Sequence, residues 1–504
     1  MRWGLGAIVL PAYFVLSLYA VNADQLGSSV LPAPLVVAVL SGLLVYAAAR
    51  ALLDRDYAAA CWSVLFWVAF LSFGWLQGIL EGVGISVSVA FPSLLFFWGI
   101  ALWWSGCRLK KTRRDLGGVV HFLDVSLVVL LVMVVGGMFL GGQLDVANRE
   151  KYDLPGADLD GLGRDEMIGD APDIYYLVLD GYAREDVLRE LFEYDDGPFL
   201  RELEAMGFYV AGEARSNYPL TSLSLSASLN YSYLEELPAT LGRDSIQSEP
   251  AHVLIRENDL MRNLGASGYR IVHFNSGWWP TEQSPHADVY HEFCRLGDQF
   301  PSALLGSTPL RGLSEMAARA RIIETFEELP VTVSGDDAPS FVFAHVILPH
   351  PPYLLGRHGR PLEGGGLHVP GEVGADAEKY LEAVRFASRS VLDVVEEIVA
   401  RTEGPDPIII LTSDHGTSAS AEDDETGWDD PSETLIWERT SILSAYRVPP
   451  DMEEKLYPEI TPVNGVRLLL SEVLGADLPP LEDRVFFSSY NRPYDWTEVT
   501  DLGE

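Results

Sequence analysis

The run Ile174-Tyr-Tyr-Leu-Val-Leu-Asp-Gly181 decides how this chain folds. Six apolar residues in succession, without the alternation of a half-exposed strand, read as a β-strand buried on both faces, and Asp-Gly ends it. A helical pattern follows from about Glu185 to Met206, and the rhythm then returns. Arg270-Ile-Val-His-Phe274 reads as a strand after the helical Asp259 to Leu264 region, and Phe341 to Leu348 reads as another. Ala377 to Arg401 has helical spacing, and Pro407-Ile-Ile-Ile-Leu-Thr412 is the clearest strand of all. Strands alternating with helices predict an α/β domain with a mostly parallel central sheet flanked by helices.

The chain ahead of this domain is of another kind. Five apolar stretches, Gly4 to Ala20, Leu31 to Leu53, Ala58 to Leu80, Ile85 to Trp104 and Phe122 to Gly142, each approach the roughly 20 residues that cross a bilayer core. A buried core helix accounts for one such run but not for five in succession. A signal peptide competes only for the first, where Arg2 alone makes a thin basic region. The expected layout is a five-helix transmembrane region at 1–145, an acidic linker at 146–170 and an extracytoplasmic α/β domain at 171–504. Basic residues collect on cytoplasmic loops, and here Arg2, Arg50, Arg55 and the run Arg108 to Arg114 all fall on one side of the alternating spans. The loops around Asp24 and Glu81 hold no Lys or Arg. This sets the N-terminus in the cytoplasm and the domain after the fifth span outside, in a multi-pass protein of the cell membrane.

Charge is divided in the same way. The 504 residues hold 35 Lys plus Arg against 72 Asp plus Glu, a net charge of −37, yet 48% are hydrophobic and only 21% charged. Up to Asp145 there are eight basic and seven acidic residues, so nearly all the excess acid lies in the soluble domain. That argues against nucleic acid as a partner, which needs a basic face, and the apolar content argues against a disordered acidic polymer. Only five lysines occur, at 110, 111, 151, 379 and 455. Much carboxylate with little lysine on an exported domain reads as a halophilic surface that holds water and cations in brine. The rival reading is a surface for cations or basic partners. Cys61 and Cys107 belong to the membrane part, which leaves Cys294 alone outside and provides no disulfide framework.

In open α/β sheets the ligand site lies beyond the carboxyl ends of the strands. Asp180 follows the first strand, His350 the third and Asp414-His415-Gly416 the fourth. Each alone also fits ordinary turn chemistry, but together they outline a site. Two carboxylates and a histidine suit a first shell for Zn²⁺ or Mn²⁺ with a position left over. The segment Ser216 to Asn230 is rich in hydroxyls, and Thr221 stands after the Pro219 turn, where a helix begins. A hydroxyl there reads either as an N-cap or as a nucleophile activated by a helix N-terminus and a metal. His345, within its strand, reads either as a core histidine or as a site residue. His273 is a weaker candidate, and Trp278-Trp279 fits a buried pair as well as a substrate or membrane contact. The acidic stretch Ala421 to Asp430 reads as a solvated loop, with a lid or second cation site as the sharper alternative.

Asp180 after Tyr-Tyr-Leu-Val-Leu, Thr221-Ser-Leu-Ser, His345-Val-Ile-Leu-Pro-His350-Pro-Pro-Tyr353 and Ser413-Asp414-His415-Gly416, in that order, resemble the alkaline phosphatase/sulfatase superfamily. The layout is similar to its membrane-anchored branch, which includes lipoteichoic acid synthase and phosphoethanolamine transferases. The resemblance implies an enzyme in which Thr221 is nucleophile and metal ligand, and Asp180, Asp414 and His415 are the remaining ligands of one divalent ion. It implies that His350 contacts the phosphate or leaving group. Two departures qualify it. The membrane transferases usually carry Glu where this chain has Asp180, and genuine sulfatases have a second acid where this chain has Gly181. The Cys-x-Pro-x-Arg setting of sulfatases is also missing, since Asn217 and Thr221 flank Pro219.

The implied activity is transfer of a phospho-group from a lipid phosphodiester donor through a phospho-threonine intermediate. Membrane lipid head groups or cell-surface glycans are the implied donors and acceptors. A phosphodiesterase or phosphatase that transfers only to water, a sulfatase and a non-catalytic membrane scaffold are the alternatives. Two outcomes follow from the layout and the charge. A protease added to intact cells or spheroplasts is expected to remove the C-terminal domain, and full protection would refute the orientation. The thermal midpoint of that domain is expected to rise steeply with salt, whereas equal stability in dilute buffer would refute the halophilic reading.

Overall fold

The computed structural model describes residues 4–142, 149–152, 159, 171–333, 338–362, 376–420 and 428–502. Most of the linker expected at 146–170, and residues 421–427 of the acidic stretch, lie outside them. The chain forms two compact units: residues 1–146 with 296–316, and residues 147–295 with 317–504. Residues 296–316, expected in the soluble domain, therefore group with the helices.

The first unit contains α1 (Gly6–Val21), α2 (Pro32–Leu53), α3 (Asp56–Leu71), α4 (Phe73–Gly82), α5 (Val87–Lys111) and α6 (Gly117–Leu140). The expectation of five spans needs correction. Among the described residues four helical stretches are long and apolar enough to cross a membrane: Ser28–Leu53, Asp56–Gly82, Val87–Lys111 and Gly117–Leu140. At 1.5 Å per residue, the 16 residues of α1 reach only about 24 Å, short of a ~30 Å hydrocarbon core. Small residues let α1 pack closely. A Cβ on Gly42 of α2 would lie 3.0 Å from the Ala7 carbonyl oxygen. Asp124 of α6 accepts the Gly6 N–H at 2.6 Å, which satisfies a donor at the start of α1. The two basic loops come together at one end of the unit. Arg50 pairs with Asp54 and Asp56, Lys110 donates to the Leu52 carbonyl at 3.1 Å, and Arg55 donates to the carbonyl of Thr112.

The second unit is built on a seven-stranded sheet. Its strands are β1 (Ile174–Leu179), β2 (Tyr209–Val210), β3 (Arg270–Phe274), β4 (Val289–His291), β5 (Ser340–Val346), β6 (Ile408–Ser413) and β7 (Ser444–Arg447). The order is β2-β7-β6-β1-β5-β3-β4, with β6, β1, β5, β3 and β4 parallel and β7 antiparallel to β6. Successive residues of β1 enter two different cores: Tyr175, Leu177 and Leu179 on one face, Ile174, Tyr176 and Val178 on the other. Burial on both faces explains why the run carries no polar alternation. The helix Ala377–Arg401 supplies Tyr380, Val384, Val391 and Val395 to the first core.

Two details differ from the sequence reading. The helix expected from Glu185 to Met206 is two, Glu185–Phe192 and Gly197–Ala205, separated at Glu193 by a left-handed residue (φ 51°). A small antiparallel hairpin, Phe486–Ser489 with Arg492–Glu498, closes the chain beyond the sheet. The register of β1 fixes the site. Leu179 lies level with Val346 of β5 and with Ser413 of β6, so all three strands end together and Asp180 and Asp414 emerge side by side.

Candidate metal centre and nucleophile

Asp180 leaves β1 in a turn that only glycine completes easily. Gly181 has φ +77°, a conformation that side chains rarely adopt, and a Cβ there would only touch His415 and His350 at ordinary contact distance. The turn is pinned from several sides. The Asp180 N–H donates to the Val346 carbonyl at 3.0 Å, and the His350 N–H donates to the Asp180 carbonyl at 2.9 Å. Tyr380 donates its hydroxyl to the Gly181 carbonyl at 3.0 Å and accepts the Ala183 N–H at 3.0 Å. Ser413 ties β6 to the same turn, accepting the Tyr182 N–H and donating to the Leu179 and His415 carbonyls.

The six residues singled out in the sequence meet here. Thr221 Oγ1 lies 3.0 Å from His415 Nε2. That same nitrogen is 3.4 Å from Asp180 Oδ1 and 3.3 Å from Asp414 Oδ2. Thr221 is the first residue of the helix Thr221–Leu229, and the cap position belongs to Leu220, whose side chain cannot accept a hydrogen bond. The N-cap alternative for Thr221 therefore gives way to a hydroxyl turned into the site. His345 is buried in β5 with its Nε2 3.6 Å from Asp180 Oδ2. His350 completes one triad with Asp180 and His415, and His345 completes another with Asp180 and Asp414; the ligand atoms of each triad lie within 4.8 Å of one another.

Several of these atoms are buried without a partner. Asp180 Oδ1, Asp414 Oδ2 and His345 Nε2 make no hydrogen bond, although Asp180 is 4% and Asp414 2% exposed. A buried anionic oxygen left alone is costly, and in native proteins such an orphan calls for an ion, a water or a catalytic role. Asp180 Oδ1, Asp414 Oδ2 and Thr221 Oγ1 each lie 3.0–3.4 Å from His415 Nε2, and three oxygens with a nitrogen are donors of the kind that suit Zn²⁺ or Mn²⁺. The imidazoles are oriented for this. His415 Nδ1 lies 2.7 Å from the Gly416 carbonyl, so Nδ1 donates and the Nε2 of this neutral ring keeps its lone pair, and His350 Nδ1 donates to the Pro351 carbonyl at 2.5 Å. Thr281 Oγ1 lies 3.0 Å from His345 Nδ1 and holds that ring in place.

The electrostatics are those of two carboxylates forced to share a dry site. Burial, then the negative charge of Asp180, push Asp414 up to about 6. Burial also acts to raise Asp180, but His350 and His345 outweigh it and hold that carboxyl well below the usual range. Burial, followed by the nearby Arg439 guanidinium, holds His415 far below its ordinary value and so neutral.

Sequence reasoning missed four supporting residues. Thr281 and Tyr380 carried no signal, because a lone Thr and a helical Tyr are common. Ser413 was visible only as part of its motif. Arg439 donates to the Pro219 carbonyl at 2.7 Å and to the Gly416 carbonyl at 3.2 Å, so one guanidinium joins the Thr221 loop to the Asp414-His415 loop. Trp278 sets its ring edge-on to His345 at 5.8 Å, while Trp279 is buried beneath Arg256. His273 is bonded to the Thr281 carbonyl and stacked on Phe343, a core position.

No family model matches the chain, and no curated protein matches it. Solved structures do. The C-terminal periplasmic domain of EptC from Escherichia coli, in complex with Zn, is 14% identical with a TM-score of 0.42, over 64% of this chain and 91% of that one. The integral membrane lipooligosaccharide phosphoethanolamine transferase A (EptA) from Neisseria meningitidis is 11% identical with a TM-score of 0.40, over 93% of this chain and 94% of that one. A sulfatase from Bacteroides thetaiotaomicron is 15% identical with a TM-score of 0.39, over 62% and 72%. At this level of likeness, function has to be read from the site itself.

Gly416 gives a direct test of the loop geometry. A Cβ there would lie 2.1 Å from the Glu438 carbonyl oxygen and 2.7 Å from that of Ser441, and both are backbone. Gly416→Ala is expected to destabilise the protein by about 1–3 kcal/mol, read as a lower thermal midpoint, and to displace His415. Gly404→Ala, where a Cβ meets open space, is expected to leave the midpoint unchanged.

Proposed function

We propose that this chain is a membrane-anchored, metal-dependent, sulfatase-like phosphotransferase with its N-terminus in the cytoplasm and its catalytic domain outside. One observation carries the reading: a threonine hydroxyl at the start of a helix, 3.0 Å from a neutral histidine and beside two buried, unpartnered carboxylate oxygens. Ordinary N-caps do not have such neighbours. A helix N-terminus turned towards the same point favours an anionic group such as phosphate.

Asp180, Asp414, His415 and Thr221 would hold one divalent ion. Such an ion supplies Lewis-acid polarisation of a phosphoryl oxygen and lowers the pKa of the threonine hydroxyl. Thr221 Oγ1 attacks the phosphorus of a lipid phosphodiester. The new threonine O–P bond forms as the bond to the lipid alcohol breaks, and the threonine proton passes to the carboxylate–imidazole cluster beside it. His350, on the turn above Asp180, gives the departing oxygen its proton. An acceptor alcohol, from a second lipid or a cell-surface glycan, then yields its proton to His350 and attacks the phospho-threonine. The threonine oxygen leaves with the proton the cluster held, which restores the starting state. Water in the acceptor's place gives hydrolysis with the same residues. The absent Cys-x-Pro-x-Arg setting disfavours sulfate-ester cleavage. Asn217 is moreover committed elsewhere, donating to the Arg484 carbonyl at 3.0 Å and accepting the Val463 N–H at 3.2 Å.

The test is mass spectrometry and turnover on phospholipid donors, with and without acceptor alcohols. Wild type is expected to show a phosphorylated peptide containing Thr221, and Thr221→Ala to lose that label with turnover falling about 10³-fold or more. Undiminished turnover in Thr221→Ala would refute the nucleophile. Asp180→Asn and Asp414→Asn are expected to copurify with less divalent metal than wild type, by elemental analysis.

A further inference from the structure

Residues 296–316 leave the α/β unit after Arg295 and return to it at Ala317, and between those points they belong with the membrane helices. The association is close. The Gly74 N–H of α4 donates to the Ser307 carbonyl at 2.8 Å, and a Cβ on Gly74 would lie 2.0 Å from the Gly306 carbonyl oxygen. Phe300, fully buried, meets the Tyr19 ring of α1 edge-on at 6.1 Å. Tyr19 is at the end of α1 and Gly74 in the last part of the Asp56–Gly82 stretch, away from the end that gathers the basic loops.

Part of the segment's apolar surface is exposed. Among the described residues after 146, nine large apolar side chains are exposed, and four of them, Leu296, Leu310, Leu313 and Met316, fall within these 21 residues. Leu310, Leu313 and Met316 follow one another at three-residue spacing down one side of the start of helix Arg311–Glu328, so they share a face. The charge pattern also changes here. Residues 296–316 carry only two acids, Asp298 and Glu315, beside Arg311, in a domain whose acids elsewhere are far denser. Two carboxylates rather than a dense acidic coat let this stretch approach anionic head groups without strong repulsion.

We propose that residues 296–316 form an interfacial foot. Leu296, Leu310, Leu313 and Met316 enter the boundary between head groups and acyl chains of the outer leaflet, beside the helix ends to which Phe300 and Ser307 are fastened. This rests on the reading of the long apolar helices as membrane-spanning. The occupant of the exposed face is lipid rather than a second copy, because the segment is already fastened to helices whose own apolar sides face the bilayer. Amphipathic segments of this kind bury their apolar face about 5–10 Å into the interface.

The test uses the full chain with Cys61, Cys107 and Cys294 replaced by Ser, labelled with bimane at Leu313→Cys or at Phe97→Cys in α5. The protein is placed in vesicles of lipid brominated either near the head-group end or deep in the acyl chain. Emission at 313 is expected to fall about twofold with shallow bromines and less with deep ones, and at 97 the order is expected to reverse. Unchanged emission at 313 beside quenching at 97, whether water or a second copy covers the site, overturns the foot and leaves the spans standing. Unchanged emission at both positions overturns the spans, and the foot with them. A second variant, Leu310→Asp with Met316→Asp, is expected to abolish quenching at 313 while quenching at 97 persists. Persistence at 313 would mean that the label, rather than the foot, had entered the lipid.

Discussion

Two carboxylates that cannot reach water, Asp180 and Asp414, are the constraint on which the catalytic half of the molecule depends. The register of β1 between β5 and β6 delivers them to the same level, and burial removes the solvent that would otherwise screen their repulsion. Everything around them mitigates that conflict. The Gly181 N–H donates to Asp414 Oδ1 at 3.2 Å, three histidines face Asp180, and Asp180 Oδ1 and Asp414 Oδ2 are left without a hydrogen bond. The fold tolerates the cost because the rest of the sheet is amply buried. β1, β5 and β6 contain no exposed residue.

The parts of this arrangement that follow from local pattern were readable in the sequence. Continuous apolar runs gave β1 and β6 their places, and Arg270–Phe274 and Ala377–Arg401 begin and end as their patterning predicts. Asp180, His350, Asp414 and His415 were legible because each stands just past a strand. What local pattern could not supply was contact across distance. Thr221 is 194 residues from His415, so whether its hydroxyl caps a helix or faces a metal site depends on how far apart the two loops are once folded. His345 sits in a strand where periodicity alone marks it as core, and only its neighbours Thr281 and Asp180 reveal its direction. The short strands β2, β4 and β7 have too few residues to show a period. The break at Glu193 did have a signal, Asp195-Asp196-Gly197-Pro198, a turn cluster with proline set to begin the second helix.

The membrane half was legible in composition and less so in length. Hydropathy identifies α1 as apolar, but its 16 residues leave it short, and its packing through Gly42 and its bond to Asp124 tie it to its neighbours rather than to lipid alone. No periodicity marks residues 296–316 as belonging with these helices, because contacts such as the Gly74–Ser307 hydrogen bond and the Tyr19–Phe300 ring pair leave no repeat in the sequence.

Arg439 has a bearing on how this site can diversify. A single guanidinium grips the carbonyl before the Thr221 loop and the carbonyl after His415, while its ring neighbour Trp428 stacks beneath it. The Thr221 loop and the Asp414-His415 loop are thereby held by one side chain, which positions the proposed nucleophile and ligands ahead of any donor. On the proposed function, a chain built in this way can exchange the surfaces that choose its donor and acceptor without retuning its chemistry. New specificities can then arise in the loops while the centre stays as it is.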